Sequence, residues 1–281
     1  MSYQQIRPGS FEVLPPVIKN LIIINGIVLL AQTTGEMWGY DKWIINTFAL
    51  HNVQSSLFMP HQLITHLFMH GNFFHFFFNM FALWMFGSML ENMWRSKRFL
   101  IFYILCGLGA ALMHLATLSI EYHFLQNEVI SFLNRPSPGE FNAFLKSNPS
   151  ILRVFKDPQF IRQLLVDWDN QPQNIEYIEG AKNFVTVFAD VSLNTPTVGA
   201  SGAVFGCLAA FGYLFPNTLI YLYFFFPIKA KWFVILYAAA ELWMGVNNSG
   251  GNVAHFAHLG GALIGFLLVV YWNKKNRRTF Y

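Results

Sequence analysis

The stretch TVGASGAVFG, residues 197–206, places a single serine between glycines at the start of an apolar segment. This segment follows a polar region and stays hydrophobic to about Phe215, which predicts a helix that carries Ser201 near its start. Small residues at such spacing let two helices pack closely in a membrane, and this is one interpretation of the serine. The other interpretation is that its hydroxyl is a nucleophile.

Composition indicates a membrane protein. Of the 281 residues, 54% are hydrophobic and only 11% are charged, less than half the usual charged fraction. An apolar helix of about 20 residues is needed to cross a bilayer, and we predict an all-α polytopic membrane protein with six such helices. The predicted spans are 17–32, 72–90, 99–120, 200–215, 232–246 and 253–272. The apolar patch 219–227 is too short to span and is predicted to be interfacial or re-entrant.

The positions of Lys and Arg predict the orientation, because cytoplasmic loops carry an excess of both. Basic clusters follow the second span, precede the fifth and follow the sixth. We therefore expect both termini to be cytoplasmic, with residues 1–16 as the N-terminal segment and 274–281 as a basic tail. No cleavable signal peptide is evident, and the charge pattern favours a bacterial inner membrane, with a eukaryotic membrane as the alternative. The formal charge of +4 comes from these clusters and does not indicate nucleic acid binding.

The predicted domains follow from these spans. Residues 17–120 hold the first three helices with the first outer loop, and 199–273 hold the last three. Between them, 121–198 is predicted to be an extended outer insertion that forms a small helical cap, with short amphipathic helices around 141–145 and 160–168.

Polar residues inside spans are costly and are candidates for function. Three predicted spans carry them near the outer end: His75 and Asn79 on the second, Ser201 on the fourth and His258 on the sixth. These spans all run from the outer face inward, so the four side chains are expected at a similar depth. His255 lies on the sixth span too, but on a different side of the helix from His258.

Glycine spacing predicts close contact between the fourth and sixth spans. Gly199, Gly202 and Gly206 follow the intervals i, i+3 and i+7, and His258, Gly261 and Gly265 repeat them. Such faces would bring Ser201 within reach of His258, the usual base for a serine near neutral pH. No Asp or Glu is near either residue in the sequence, so a dyad is favoured over a triad. Backbone N–H groups at the helix start, with His75 and Asn79, would stabilise an oxyanion.

With these motifs the chain resembles the rhomboid intramembrane serine proteases. Residues 199–202 (GASG) are similar to their GxSG motif, 257–265 to their AHxxGxxxG helix and 75–79 (HFFFN) to their HxxxN motif. The resemblance implies a six-helix rhomboid-like bundle with Ser201 as nucleophile and His258 as general base. It also implies that His75, Asn79 and the backbone at Gly199 and Ser201 stabilise the oxyanion. The residues in supporting roles are Gly202, Gly261, Gly265 and Phe205, the last beneath the histidine ring.

Three further features concern this resemblance. Glu91 matches a carboxylate that braces the first outer loop in the family. Many members have Trp-Arg in that loop where this chain has His61-Gln62. The outer insertion is much longer than in the simplest members and ends directly before the nucleophile.

The sequence thus predicts an intramembrane serine endopeptidase that cleaves transmembrane segments of single-pass or polytopic membrane proteins near their outer end. It predicts the lipid bilayer as its surroundings, no cofactor and no metal, and leaves the oligomeric state open. Two alternatives remain: a catalytically inactive rhomboid-like factor that binds membrane proteins, and a haem or metal protein ligated by His66, His70 and His255 or His258. The partner of Glu241, inside the fifth span, is not predicted.

Overall fold

The structure, a computed structural model, describes residues 11–151, 158–222, 225–247 and 254–277. The described chain is mostly helical, as the composition predicts. The longer helices are Pro16–Met37, Phe73–Ala82 continued through one π turn into Ser88–Trp94, Ser96–Asn134, Ile175–Asn194, Ser201–Leu214, Ala230–Val246 and His255–Arg277. The shorter ones are Asp41–Phe48, Gln62–Thr65, the 3-10 turn His66–Phe68, Pro138–Ser147 and Pro158–Asn170.

Four of the described helices are long and apolar enough to cross a membrane. They are Pro16–Met37, Phe73–Trp94, Ser96–Asn134 and His255–Lys274, and they correspond to the first, second, third and sixth predicted spans. The helices at the fourth and fifth predicted spans are shorter, with 14 residues in Ser201–Leu214 and 17 in Ala230–Val246. At 1.5 Å per residue they measure about 21 and 26 Å, against about 30 Å of hydrocarbon.

The chain divides into two compact units. One comprises the described parts of 1–50, 59–114 and 197–281, and the other comprises 51–58 and 115–196. The second unit has its own apolar core of aromatic side chains, in which Phe132, Phe141 and Trp168 are almost fully buried. Its helices therefore have enough apolar surface to pack against one another.

The helices of the second unit are longer than expected from the sequence. The third predicted span ends at residue 120, but its helix continues to Asn134. The predicted segments 141–145 and 160–168 lie within Pro138–Ser147 and Pro158–Asn170. A further helix, Ile175–Asn194, was not predicted, although Asn174 caps it by accepting the Glu176 N–H at 3.0 Å.

The apolar patch at 219–227 forms a β-hairpin, an exception to the all-α expectation. Strands β1 (Leu219–Leu222) and β2 (Phe226–Lys229) pair antiparallel, with Ile220 opposite Ile228. The run is rich in aromatic and β-branched residues, which favour strands. Residues 223 and 224, between the two strands in the sequence, lie outside the described part.

Glu91 caps the first helix. Its carboxylate oxygens accept the backbone N–H groups of Val17 and Ile18 at 3.0 and 2.9 Å, and Ser96 donates its hydroxyl at 2.6 Å. These N–H groups have no acceptor within their own helix, and the helix dipole favours a negative charge there. The resemblance implied that Glu91 braces the first outer loop, and the structure corrects this: the carboxylate holds the start of the N-terminal helix.

The first outer loop is anchored without the Trp-Arg pair of many rhomboids. The His61 ring donates to the Thr47 carbonyl at 2.7 Å, and the Gln62 amide donates to the Asn46 carbonyl at 2.9 Å. The Thr65 hydroxyl adds a hydrogen bond to the Phe48 carbonyl at 2.7 Å. Three consecutive backbone carbonyls therefore hold the segment that leads into the second span.

A second set of contacts ties this loop to the first helix. Gln32 donates its amide to the His70 carbonyl and accepts the His70 N–H, at 3.1 and 3.0 Å. The His70 ring lies 2.9 Å from the Asn25 side-chain oxygen. The loop is thus held from both sides directly before His75.

Candidate active site

The helix Ser201–Leu214, hereafter the serine helix, packs closely along His255–Arg277, hereafter the histidine helix. Glycine makes this approach possible. A Cβ at Gly261 would overlap the Gly202 carbonyl oxygen, and one at Gly265 would lie 2.5 Å from the Gly206 oxygen. The repeated glycine intervals therefore mark the contact face between the two helices.

The hydroxyl of Ser201 lies 2.8 Å from His258 Nε2. Ser201 is the first residue of its helix, with Ala200 at the N-cap, and His258 lies in the first turn of the histidine helix. This is hydrogen-bond distance, and it joins two residues that are 57 positions apart in the sequence. The geometry is that of a serine whose proton a histidine can accept.

A carboxylate lies on the far side of this histidine. Glu241 Oε2 is 2.9 Å from His258 Nδ1 and 2.7 Å from His255 Nδ1. The expectation that His255 lies on a different side of the helix from His258 is therefore wrong, because residues three apart share a helix face. All three residues are buried, with Glu241 only 3% exposed. The helix Ala230–Val246, hereafter the glutamate helix, thus brings an acidic side chain to the imidazole, although no acidic residue accompanies His258 in its sequence motif.

Phe205 stacks on the face of His258. The ring centroids are 4.3 Å apart and the planes differ by 4°. Phe205 lies one turn after Ser201 on the serine helix, so one helix contacts both Nε2 and a face of the imidazole. The glutamate helix contacts the ring at Nδ1. The ring is thereby restrained in position and tilt.

His75 lies against the backbone at Gly199. A Cβ at Gly199 would be 2.9 Å from His75 Nε2, so only glycine leaves room for this ring, and its φ of +133° also favours glycine. The Gly71 N–H donates to His75 Nδ1 at 3.2 Å. Since a neutral imidazole has one donor and one acceptor nitrogen, this bond leaves Nε2 as the donor that faces the Gly199 segment.

Two residues predicted to bind an oxyanion have other contacts as well. The Asn79 side chain donates to the His75 carbonyl at 2.9 Å, which supports the turn that carries His75. The Gly199 N–H donates to the His66 carbonyl at 2.9 Å. Because its only N–H is engaged in this way, Gly199 is not available as an oxyanion donor. Its lack of a side chain leaves room for the His75 ring. The Ser201 N–H, at the helix start, has no acceptor within its helix.

A small cavity of about 20 Å³ lies beside Ser201. Its lining includes His66, His114, Thr197 and Ala257. The Thr197 hydroxyl is 2.7 Å from the His114 ring, so the polar part of the lining is itself hydrogen-bonded. This volume is close to that of a single water molecule.

His66 and His70 have structural contacts in the first outer loop. His66 Nδ1 donates to the Gln62 carbonyl at 2.6 Å, and burial lowers its pKa to about 4. Burial and the neighbouring His75 lower the pKa of His70 to about 3. Both histidines are therefore neutral at physiological pH.

The histidines considered as metal or haem ligands lie in two separate groups, His66 and His70 in the first outer loop and His255 and His258 beside Glu241. Nitrogen and oxygen atoms of Glu241, His255 and His258 lie within 4.8 Å of one another, close enough to hold a metal ion. His66 and His70 are not members of this group. The ligand set proposed from the sequence is thus not assembled as such.

Sequence reasoning missed one contact of the candidate site, that between Glu241 and His258. Glu241 has no motif and lies 17 residues before His258. One signal was available: a carboxylate inside a span needs a partner, and the next helix starts with two histidines.

Comparison with known proteins identifies the family of this chain. The Rhomboid domain family matches residues 58–125 and 178–275. Rhomboid protein 1, mitochondrial, of Saccharomyces cerevisiae is 39% identical over 87 residues, which cover 31% of this chain and 25% of that protein. An uncharacterized mitochondrial rhomboid protein of Schizosaccharomyces pombe is 36% identical over 96 residues, covering 32% and 24%.

A plant relative matches over a longer range. RHOMBOID-like protein 12, mitochondrial, of Arabidopsis thaliana is 23% identical over 246 residues, which cover 86% of this chain and 56% of the relative. The chain therefore spans about a quarter of each fungal relative and just over half of the plant one.

All three relatives are mitochondrial, so the prediction of a bacterial inner membrane with cytoplasmic termini is wrong. The charge pattern distinguishes the two sides of a membrane but not the organelle. By the family match, together with its membrane helices, the chain belongs to the rhomboid family, whose members are generally intramembrane serine proteases.

Proposed function

We propose that the protein is an intramembrane serine endopeptidase in which Ser201 is the nucleophile and His258 the general base. The observation that carries this proposal is the 2.8 Å hydrogen bond between Ser201 Oγ and His258 Nε2. Family membership supports the reaction class, and the retention of both residues argues against the inactive rhomboid-like alternative.

The reaction follows from the positions of these groups. Ser201 Oγ attacks the carbonyl carbon of the scissile peptide bond while His258 Nε2 takes the hydroxyl proton. When the tetrahedral intermediate collapses, the C–N bond breaks and His258 returns the proton to the leaving amine. Water then attacks the resulting ester and gives its proton to His258. Release of the carboxylic acid product returns the proton to Ser201 Oγ.

The negative oxygen of the tetrahedral intermediate needs preorganised donors. The Ser201 N–H lies at a helix start, where the dipole favours negative charge, and His75 Nε2 carries a proton beside Gly199. We assign these two as donors, with the second N–H of the Asn79 amide as a third. One hydrogen of that amide binds the His75 carbonyl, which fixes the direction of the other.

We further propose six membrane-spanning helices, with the serine and glutamate helices as the fourth and fifth. Both are shorter than the bilayer is thick, so their ends lie below the membrane surface and water can reach Ser201.

The substrates would be transmembrane segments of single-pass or polytopic membrane proteins. Since the relatives are mitochondrial, we place the protein in the mitochondrial inner membrane, which a fluorescent fusion and fractionation would test.

Cleavage in proteoliposomes tests the proposal. The wild type should cut a labelled single-pass substrate, whereas Ser201→Ala and His258→Ala should not, with all three inserted to the same extent. Removal of such a residue costs on the order of 10³-fold or more in rate. Equal cutting by Ser201→Ala would show that the nucleophile is another residue. Substrate binding by the wild type without cleavage would favour the inactive alternative.

A further inference from the structure

We infer that Glu241 is a positioning residue that fixes the tautomer of His258 and faces the positive charge that forms on it, so that the serine and histidine work with a carboxylate as a triad. This inference rests on the proposed function. It goes beyond the sequence, in which no acidic residue accompanies either motif, and it gives the intramembrane carboxylate a role.

The first argument is the hydrogen-bond direction. A carboxylate can only accept, so both His258 Nδ1 and His255 Nδ1 donate to Glu241 Oε2. Neutral His258 then carries its proton on Nδ1, and its Nε2 has a lone pair. The Ser201 hydroxyl at 2.8 Å can therefore only donate to Nε2. This is the one neutral tautomer that can accept the serine proton.

The second argument is charge. When His258 takes the proton, it becomes an imidazolium 2.9 Å from the Glu241 oxygen, and both groups are buried. A fixed negative charge beside a charge that forms during the reaction stabilises the transition state more than the ground state. A neutral hydrogen-bond acceptor at the same place would fix the tautomer but would give less of this stabilisation.

The third argument concerns precision. Glu241 is held by two imidazoles, and Phe205 stacks on the face of one of them. The glutamate helix comes close to the start of the histidine helix at Gly245, where a Cβ would lie 3.2 Å from the Cβ of His255. The Glu241 carboxylate is therefore held by a closely packed helix and not by a loop, which favours a fixed position relative to His258.

A purely structural role is the competing interpretation. A carboxylate inside a span costs up to about 3 kcal/mol on insertion scales, and pairing with histidines reduces that cost. An apolar residue at 241 would avoid the cost altogether. If Glu241 is only a satisfied polar group, its replacement changes folding and substrate binding, but not the turnover of correctly folded protein.

Turnover separates the two interpretations. Wild type, Glu241→Gln and Glu241→Asp are reconstituted in proteoliposomes, and kcat and KM are measured for a labelled single-pass substrate. Labelling of Ser201 by a fluorophosphonate reports nucleophile activation without substrate recognition. We expect Glu241→Gln to lower kcat by at least about 30-fold, with KM within about threefold and a parallel loss of labelling, as for orienting carboxylates in serine proteases. Glu241→Asp should recover part of the rate, because it keeps the charge.

Two controls accompany these variants. Glu179→Gln makes the same change at an exposed glutamate that pairs with Lys182 at 2.8 Å, and it should leave kcat and labelling unchanged. His255→Gln replaces the other imidazole by an amide that can still donate to the carboxylate, and it should lower kcat less than Glu241→Gln does. Thermal unfolding of every variant shows whether a lost rate reflects lost structure.

Three results would overturn the inference. If Glu241→Gln keeps kcat within twofold of wild type, or loses activity only through KM and melting temperature, Glu241 is structural. If a chelator abolishes wild-type turnover and Zn²⁺ restores it, the cluster of Glu241, His255 and His258 binds a metal instead. If the wild type neither cleaves nor reacts with the fluorophosphonate, the proposed function fails, and the role of Glu241 fails with it.

Discussion

The rings of Phe205 and His258 are parallel to within 4° and lie 4.3 Å apart. Phe205 also contacts Tyr237 of the glutamate helix, with centroids 4.9 Å apart. One aromatic side chain on the serine helix therefore supports the imidazole from below and links it to the helix that carries Glu241.

Truncation of this ring should reduce turnover while the serine and histidine remain. An aromatic contact contributes about 0.5–1.5 kcal/mol beyond its buried area, so we expect Phe205→Leu to lower kcat by about two- to tenfold. Phe205→Tyr keeps the stacking face and should stay within about twofold of wild type. Steady-state cleavage in proteoliposomes measures both. Equal rates for the leucine and tyrosine variants would mean that the stacking does not position His258.

Gly261 determines how closely the histidine helix approaches the serine helix. Overpacking a close contact costs about 1–3 kcal/mol, and here the new Cβ meets a backbone oxygen that cannot rotate away. Gly261→Ala should therefore lower both the melting temperature and cleavage. Gly180→Ala is the matched control, because no heavy atom lies within 4 Å of a Cβ at Gly180. That change in the middle of a helix should leave cleavage unchanged and raise the melting temperature slightly. If Gly180→Ala lowered the melting temperature and Gly261→Ala did not, the close contact at Gly261 would not limit the packing of the two helices.

The contact between Ser201 and His258 could be predicted because both residues sit on glycine-marked faces. Helix periodicity places the glycines on one side, and close helix packing then requires that the two sides meet. Four of the predicted spans correspond to helices long and apolar enough to cross a membrane, and they could be predicted because hydropathy depends on local sequence alone. These features have in common that each is encoded within about 20 consecutive residues.

The contact between Glu241 and His258 could not be predicted in this way, because nothing in the helix of Glu241 specifies which neighbour it faces. The same holds for Glu91, which contacts Val17 and Ile18 across more than 70 residues. The hairpin at 219–229 was missed because a short apolar run between prolines fits a strand as well as a membrane segment. A single sequence carries too little information to identify the partner of a distant side chain or the secondary structure of a short apolar run.

The cap on the first helix should contribute measurably to stability. Glu91→Gln replaces one acceptor oxygen by an amide NH₂. Either the Ile18 N–H loses its acceptor, or the Val17 N–H and the Ser96 hydroxyl both lose theirs, because these two share one carboxylate oxygen. A buried donor left unpaired costs about 1–3 kcal/mol. Thermal unfolding in detergent should show a lower melting temperature. Glu36→Gln, at the exposed end of the same helix, should be neutral or slightly stabilising because it removes an acidic charge near the helix C-terminus. A melting temperature unchanged by Glu91→Gln would show that water satisfies these groups.

His66 should make the fold sensitive to mild acid. Burial lowers its pKa from 6.5 to about 4, so the unfolded chain binds a proton between these values and the folded chain does not. Stability is therefore complete above about pH 6.5 and decreases as the pH falls toward 4, by at most about 3 kcal/mol from this residue. His70, whose pKa is lowered in the same direction, adds to the effect.

Unfolding midpoints at pH 7.5, 6 and 5 measure this slope, and His66→Gln should make it shallower. The glutamine can still donate to the Gln62 carbonyl, and the backbone carbonyl of residue 66 still accepts the Gly199 N–H, so the local contacts are retained without a group that titrates in this range. The variant should be close to wild type at pH 5 and no more stable than wild type at pH 7.5. Parallel pH profiles for the two proteins would assign the acid sensitivity to other groups.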